Sequence, residues 1–226
     1  MKRSHIAILV IFLVLLIDQV LKFYIKLNFE LNQARHILGT DFFTLHFVEN
    51  PGMAFGMTLG GSYGKLLLSL FRIGAVFFIG YYMVSLIKKN ANKGLVASIA
   101  LIFAGAIGNI IDSVFYGIIF TDSDYRVAEI FPEEGGYAGW FHGKVVDMLE
   151  VHIFSIDRLP EWIPKIGGEP FTFFSPIFNV ADAAITIGVI LIILFQQQFF
   201  AEEDTANTTS SQASDNAAPT KQKQRQ

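Results

Sequence analysis

The chain has 226 residues, of which 52% are apolar and 23 are phenylalanine, and its mean hydropathy is +0.46. These values exceed those of most soluble domains, so the composition predicts an integral membrane protein. The net charge of −3 comes without a basic stripe or a nucleic-acid motif, which argues against nucleic acid as a partner. The absence of cysteine excludes disulfides, thiolate catalysis and cysteine-based zinc sites.

Four stretches are apolar and long enough to cross a bilayer, whose hydrocarbon layer needs about 20 helical residues. They cover residues 6–24, 66–87, 95–120 and 176–195. The first begins like a signal peptide but lacks a small-residue cleavage site, so we expect it to be retained. The predicted fold class is a mainly α integral membrane protein with four transmembrane helices and a small extracytoplasmic β-sheet.

Lysine and arginine remain on the cytoplasmic side of short membrane loops, which sets the predicted orientation. Such residues flank helix 1 and the turn between helices 2 and 3: Lys2, Arg3, Lys88, Lys89 and Lys93. Both termini are therefore predicted to be cytoplasmic, and residues 28–64 and 121–175 extracytoplasmic. The composition turns polar after residue 200, so we expect a membrane domain over residues 1–200 and a disordered tail over residues 201–226.

The extracytoplasmic part contains one predicted strand of a small sheet and a second stretch that is apolar around an acid. Residues 42–48 are aromatic and β-branched, and Asn50-Pro51-Gly52 then ends the strand in a turn. Residues 143–151 are apolar around the acid Asp147. We expect this second stretch to return the chain to the membrane surface, with Asp147 beside helix 4.

Acidic residues in the membrane segments are candidate functional residues, because a charge near hydrocarbon is energetically costly. A rise of about 1.5 Å per residue places Asp18, Asp112 and Asp182 at overlapping depth near one boundary. Asn109 and Asn179 each precede an acid by three residues, which puts amide and carboxylate on one helical face. Depth alone favours none of the three acids over the others.

Several of these polar and small residues also have structural explanations. Asp18 and Lys22 are four residues apart on helix 1, a spacing that favours an ion pair. Arg72 on helix 2 can either snorkel towards the interface or neutralise one of the acids. A ridge of small residues on helix 3 can serve packing alone: Ala104, Gly105, Ala106 and Gly108.

Three other functions fit single features of the chain. Gly60-Gly61-Ser62-Tyr63-Gly64 matches the G-x-S-x-G pattern of serine hydrolases, but this pattern requires an α/β sheet that we do not predict. His142, Asp147 and His152 are possible metal ligands, but their spacing matches no metal motif, so no metal site is predicted. Intramembrane carboxylates would also suit a small ion- or proton-coupled transporter.

Five short motifs occur in order along the predicted spans. They are Asp18-x-x-x-Lys22, Asn50-x-Gly52-x-Ala54-Phe55, Gly105-x-x-Gly108-Asn109-x-x-Asp112, Val145-Val146-Asp147 and Phe178-Asn179-x-Ala181-Asp182-x-x-Ile185. Together they make the chain resemble the bacterial lipoprotein signal peptidases, the signal peptidase II family.

The resemblance implies an aspartic endopeptidase of the bacterial inner membrane that removes signal peptides from diacylglyceryl-modified prolipoproteins, cutting before the lipidated cysteine. It implies Asp147 and Asp182 as the catalytic pair, without a metal or a cofactor. Substrate-binding or site-shaping roles would fall to Asn50, Gly52, Asn109, Asp112 and Asn179, and supporting roles to Asp18 and Lys22. The expected partners are the prolipoprotein and membrane lipid, and we expect a monomer whose active site lies at the outer face.

The chain departs from the family pattern in two respects. Ser113 follows Asp112 where the family often has arginine, so Arg126 or Lys144 would have to supply a cationic substrate contact. The segments on either side of Asp147 are also longer than the compact family pattern, which predicts a larger extracytoplasmic region.

Overall fold

The computed structural model describes residues 1–37, 42–51, 61–124, 126–156, 158–164, 166–169, 171–173 and 175–199. Gly52, with Ala54 and Phe55 of the same motif, lies outside the described residues, as does the predicted tail at residues 201–226. Gly60 of the G-x-S-x-G match also lies outside them.

Within the described residues, three helices are long and apolar enough to cross a membrane. They are α1 (Arg3–Asn28), α2 (Gly61–Lys88) and α3 (Lys93–Ile111), and α3 continues through a π-helical turn (Asp112–Tyr116) into the short α4 (Gly117–Ile119). The first three predicted spans are confirmed. The π-helical turn was not predicted, and it begins at Asp112, in keeping with the frequent occurrence of such turns at functional sites.

The fourth span, α5 (Val180–Leu194), is shorter than predicted, with 15 residues or about 22 Å of helix. The prediction that it begins at residue 176 was wrong, because Ile177–Phe178 form a strand. Asn179 then caps the helix, since its side-chain oxygen accepts the backbone N–H of Asp182 at 2.8 Å. Asp182 therefore lies in the first helical turn, where the helix dipole favours a carboxylate.

An antiparallel sheet follows the order β1 (Ala34–His36), β2 (Phe43–Asn50), β3 (Val145–Val151) and β6 (Ile177–Phe178). A separate hairpin consists of β4 (Phe154–Ile156) and β5 (Phe171–Phe173). The predicted strand is β2, and its neighbour β3 is the apolar stretch around Asp147, which was not predicted as a strand. Their pairing shifts between Leu45 and Val48, and this bulge precedes the pairing of Val48 with Asp147.

A buried apolar cluster joins the sheet to the ends of α1 and α3. Its members come from α1, from the end of α3 and from β2 and β3: Ile25, Phe29, Tyr116, Phe120, Phe47, Val146 and Met148. Because Val146 and Met148 flank Asp147 and are fully buried, the backbone of this acid is fixed against the ends of two helices.

The small-residue ridge of α3 lets α1 and α5 approach closely. A Cβ atom on Gly105 would lie 2.2 Å from the carbonyl oxygen of Ala181, and one on Gly108 would lie 2.8 Å from Asp18 Oδ2. The ridge therefore does serve packing, and this packing also brings the polar residues of three helices together.

Candidate active site

Asp147 lies within β3, and only 5% of its surface is exposed. The Nδ2 groups of Asn50 and Asn179 donate hydrogen bonds to Asp147 Oδ2 at 3.3 Å and to Oδ1 at 2.7 Å. Burial, followed by the negative charge of Asp182, raises the pKa of Asp147 to about 7, although the two hydrogen bonds act in the opposite direction. Near neutral pH this carboxyl can therefore hold or release a proton.

Asp182 accepts a hydrogen bond from Asn109 Nδ2 at its Oδ1 atom, at 2.7 Å. It lines a cleft of about 420 Å³ in which every other lining residue is uncharged: Pro176, Phe178, Ala183, Thr186 and Ile187. This half-buried carboxylate thus faces a mainly apolar space at the start of a membrane helix.

Asn179 links the Asp147 carboxylate to the first turn of α5. Its oxygen accepts the Asp182 N–H, while its Nδ2 donates to Asp147 and also to Asn109 Oδ1 at 3.1 Å. The helical spacing predicted that each asparagine would face the acid of its own helix. The side chains instead cross between elements, because Asn109 on α3 bonds Asp182 on α5 and Asn179 bonds Asp147 on β3.

Asp112 has different partners, although the sequence could not separate it from the other acids. Lys22 Nζ lies 2.8 Å from Asp112 Oδ2 and 2.9 Å from Asp18 Oδ2, and all three side chains are fully buried. Asp112 Oδ2 also accepts the backbone N–H of Val146 at 3.2 Å. The predicted Asp18–Lys22 ion pair is confirmed, and Asp112 extends it into a three-residue network.

This network orients the amides of the site. Lys22 Nζ donates to Asn109 Oδ1 at 3.0 Å, so the NH2 group of Asn109 is the end that faces Asp182. Gln19, which the sequence did not single out, donates to both Asp18 and Asp112 and accepts from the hydroxyl of Tyr116. No periodicity or motif spacing marks such a neutral bridging residue.

The cationic groups around the site differ from those proposed from the sequence. Lys144 pairs with Glu49 at 2.8 Å and Arg126 with Glu129 at 3.8 Å, so both candidate cations are engaged away from Asp147 and Asp182. Arg72 is instead within electrostatic reach of Asp182, Asp147 and Asp112. Of the two alternatives for Arg72, the structure supports neutralisation of the acids.

The three possible metal ligands do not converge. His142 Nδ1 contacts the carbonyl oxygen of Trp140, whereas His152 Nδ1 contacts Ser175 Oγ. Within the part of the chain that the structure describes, one cluster has metal-ligand spacing: Glu49, Asp122 and Asp124. Lys26 and Lys144 already pair with Glu49, so ammonium groups supply the positive charge there.

The family model for signal peptidase (SPase) II matches residues 10–198. The chain belongs to the signal peptidase II family. It is 46% identical over 191 residues to the lipoprotein signal peptidase of Porphyromonas gingivalis (strain ATCC 33277), covering 84% of this chain and 82% of that protein. The lipoprotein signal peptidase of Amoebophilus asiaticus is 41% identical over 182 residues, covering 80% of this chain and 72% of that protein.

Solved bacterial membrane enzymes share the fold of this signal peptidase II. One, determined in meso at 2.3 Å resolution, has a TM-score of 0.55 and 25% identity over 97% of this chain and 94% of its own. A second, at 1.9 Å resolution, has a TM-score of 0.54 and 27% identity, and the match covers 83% of this chain and 90% of the solved one. The chain is thus a membrane aspartic-type endopeptidase of lipoprotein processing, and its family favours this activity over a transporter or a serine hydrolase.

Proposed function

We propose that this signal peptidase II cleaves diacylglyceryl-modified prolipoproteins immediately before the lipidated cysteine, with Asp147 and Asp182 as its catalytic pair. The observation that carries the proposal is the bridge made by Asn179. Its side-chain amide donates to the Asp147 carboxylate at 2.7 Å and accepts the backbone N–H of Asp182 at 2.8 Å, so one side chain joins the strand-borne carboxylate to the backbone of the residue that carries the helix-borne one.

The chemistry needs two carboxylates and one water molecule. Repulsion between two neighbouring carboxylates keeps one of them protonated. The ionised member takes a proton from water as the water oxygen attacks the scissile carbonyl carbon, and the neutral member transfers its proton to the carbonyl oxygen. The resulting diol then collapses: its C–N bond breaks, one carboxyl protonates the leaving nitrogen, and the other carboxylate accepts a proton from a diol hydroxyl.

The other predicted site residues have supporting roles in this proposal. Asn50, Asn109 and Asn179 orient the carboxylates through their amide groups, and the network of Asp112 with Asp18 and Lys22 holds Asn109 in turn. Gly52 keeps its proposed role in the substrate-binding turn, although it lies outside the described residues.

We further propose a monomer in the bacterial inner membrane, with both termini cytoplasmic and the active site at the outer face. Residues 1–200 would form the peptidase domain and residues 201–226 a cytoplasmic tail. The mainly uncharged cleft beside Asp182 supports a lipidated substrate, because acyl chains can stay in an apolar environment while the peptide bond reaches the carboxylates.

The central test replaces each carboxylate without changing its shape. Asp147→Asn and Asp182→Asn should each slow cleavage of a diacylglyceryl-modified precursor by roughly 10²–10⁴-fold, the usual contribution of a general acid or base. Asp124→Asn is the matched control. Asp124 is an acid on the same side of the protein as the sheet, and its side chain is 47% exposed. Each variant is first checked for membrane insertion and thermal stability, and retained turnover in both site variants would reject the pair.

The lipid requirement has its own control. The same precursor with an unmodified cysteine should be cleaved far more slowly by the unaltered enzyme. Equal cleavage of the two precursors would leave the carboxylate pair intact as a hypothesis but contradict the proposed recognition of the diacylglyceryl group.

A further inference from the structure

Residues 126–143, here called the collar, pack around the end of α4, on the same side of the membrane as the sheet. Backbone hydrogen bonds fix the collar there: Phe131 donates to Ile119 at 2.7 Å, Ala138 donates to Gly117 at 2.9 Å, and Gly143 donates to Ser113 at 2.9 Å. A Cβ atom on Gly136 would lie 2.1 Å from the carbonyl oxygen of Gly117. The collar therefore touches the end of the span directly.

Trp140 lies beside the surface that the span presents to lipid. Its ring centroid is 5.6 Å from that of Phe115, which belongs to the apolar span Lys93–Ile119. Phe115 precedes the end of this span by four residues, or about 6 Å along the helix. Trp140 is nevertheless 56% exposed, so its large ring is next to the membrane segment and is not covered by protein.

Phe131 repeats this situation at the tip of the collar. Its N–H bonds to Ile119, the last residue of the span, and its side chain is 73% exposed. Its φ of 52° is in the left-handed region, which residues other than glycine rarely adopt. The exposure of this large ring is explained if it faces lipid, and the fixed backbone conformation holds it in that position.

We propose that the collar is a membrane-contact surface whose partner is the headgroup region of the leaflet on the sheet side, reached by Trp140 and Phe131. Aromatic rings favour this region, and the surface continues the lipid-facing side of the span through Phe115. The exposed acids Glu133 and Glu134 on the collar oppose attraction to anionic lipid, so the contact is apolar and aromatic.

The collar is coupled to the active site through the chain that follows it. Gly143 approaches Asp112 so closely that a Cβ atom would lie 2.0 Å from the Asp112 carbonyl oxygen, and Val146 bonds the Asp112 carboxylate. The residue that directly follows Val146 in β3 is Asp147. Lipid contact at the collar therefore helps to set the depth of Asp147 in the membrane, a consequence that rests on the proposed function, whereas the contact itself does not.

The test uses the fact that the chain has two tryptophans, Trp140 and Trp162. In the full-length Trp162→Phe variant Trp140 is the sole indole, and the variant is placed in phosphatidylcholine nanodiscs with or without brominated acyl chains. The brominated acyl chains should reduce the fluorescence emission of Trp140 roughly twofold, as expected for a ring at headgroup level. Iodide in the buffer should quench it much less than it quenches free N-acetyltryptophanamide.

Two further variants control this measurement. The double variant with Trp140→Phe and Trp162→Phe has no tryptophan and gives the background fluorescence of the tyrosines. Adding Phe131→Trp to this double variant should restore a tryptophan emission that bromolipid quenches. Raising the salt concentration should leave both signals unchanged, because the contact is not electrostatic. The proposal is overturned if iodide quenches Trp140 as strongly as the free indole and bromolipid does not quench it, whether or not the protein cleaves its substrate.

Discussion

Amide groups donate the hydrogen bonds to Asp147 and Asp182, whereas an ammonium group faces Asp112. This difference has a chemical consequence. Lys22 and Gln19 fix the Asp112 carboxylate within the buried network, whereas burial and a like charge leave Asp147 with a pKa of about 7. Asp112 is therefore suited to hold the site together, and Asp147 is suited to exchange a proton.

Lys22→Met tests the structural role of the buried network. The substitution leaves Asp18 and Asp112 buried without their counter-ion, so the protein should lose about 3–5 kcal/mol of stability. Thermal unfolding in detergent measures the loss. Arg158→Met is the control, because it breaks an exposed pair with Glu161 and should cost no more than about 1 kcal/mol. Equal effects of the two variants would contradict a stabilising network.

Arg72→Gln tests whether this arginine assists ionisation of the pair. Removing a nearby positive charge should raise the pKa of Asp147 above about 7, because the ionised carboxylate loses a stabilising interaction. Asp147 holds the shared proton beside ionised Asp182, so its pKa sets the alkaline limb of the profile of kcat/KM against pH. That limb should then move to higher pH, by on the order of one unit. Lys22 on α1 also acts electrostatically on Asp147, and Arg72 also acts on Asp112 in the π-helical turn.

Arg72→Lys separates this electrostatic effect from a packing effect. The lysine variant keeps the charge and should keep the position of the alkaline limb, even where its maximal rate is lower. A profile that moves equally in the lysine and glutamine variants, or in neither, would show that the charge of Arg72 does not act on the pair.

Among the helices, α3 carries most of the constraints on the site. Its small residues allow α5 to approach, its Asn109 bonds Asp182, and its π-helical turn begins at Asp112. The start of α5 is equally specific, because β6 pairs with β3 up to Phe178 and Asn179 then caps the helix. The active site is thus built where one helix changes its winding and another begins.

Gly105→Ala should disturb this helix contact. The added methyl group would lie 2.2 Å from a backbone oxygen of Ala181, which cannot move without shifting α5. We expect a loss of about 1–3 kcal/mol of stability together with reduced turnover, because Asp182 would move away from Asn109. Gly74→Ala on α2 is the matched control, since nothing lies within 4 Å of its added methyl group. Equal stability and activity of the two variants would contradict the close-packing argument.

For the molecule as a whole, the polar residues of the site and the sheet lie at one end of the helices, and the basic turn between α2 and α3 lies at the other. An apolar cluster that includes Leu86, Ala91 and Leu95 closes that second end. The fold class and the family inferred from the five motifs are confirmed, whereas the roles of single site residues and the orientation in the membrane stay predictions.

The orientation can be tested with single cysteines, because the chain has none of its own. Asp124→Cys should react with a membrane-impermeant maleimide in intact spheroplasts, because residue 124 is exposed and lies on the sheet side. Lys89→Cys, exposed in the basic turn, should react only after the membrane is opened. The reverse labelling pattern would place the active site at the cytoplasmic face.

The sequence by itself determined the membrane class, the first three spans, the strand β2 and the Asp18–Lys22 pair. These features depend on hydrophobic length, alternation or a spacing of four residues, and such signals are local. The start of the fourth helix was predicted too early, because pairing of Ile177–Phe178 with β3 outweighed the apolar composition of this segment.

Only the tertiary structure decided which amide serves which acid, that Lys22 also binds Asp112, and that Arg72 lies within electrostatic reach of the carboxylates. Asn179 and Asp147 are 32 positions apart in the chain, and Asn109 and Asp182 are 73 apart. A hydrogen bond forms only when two such groups come within about 3 Å, and that distance is set by how helices and strands pack against each other. The pattern of residues along each element could therefore identify the candidates but not their partners.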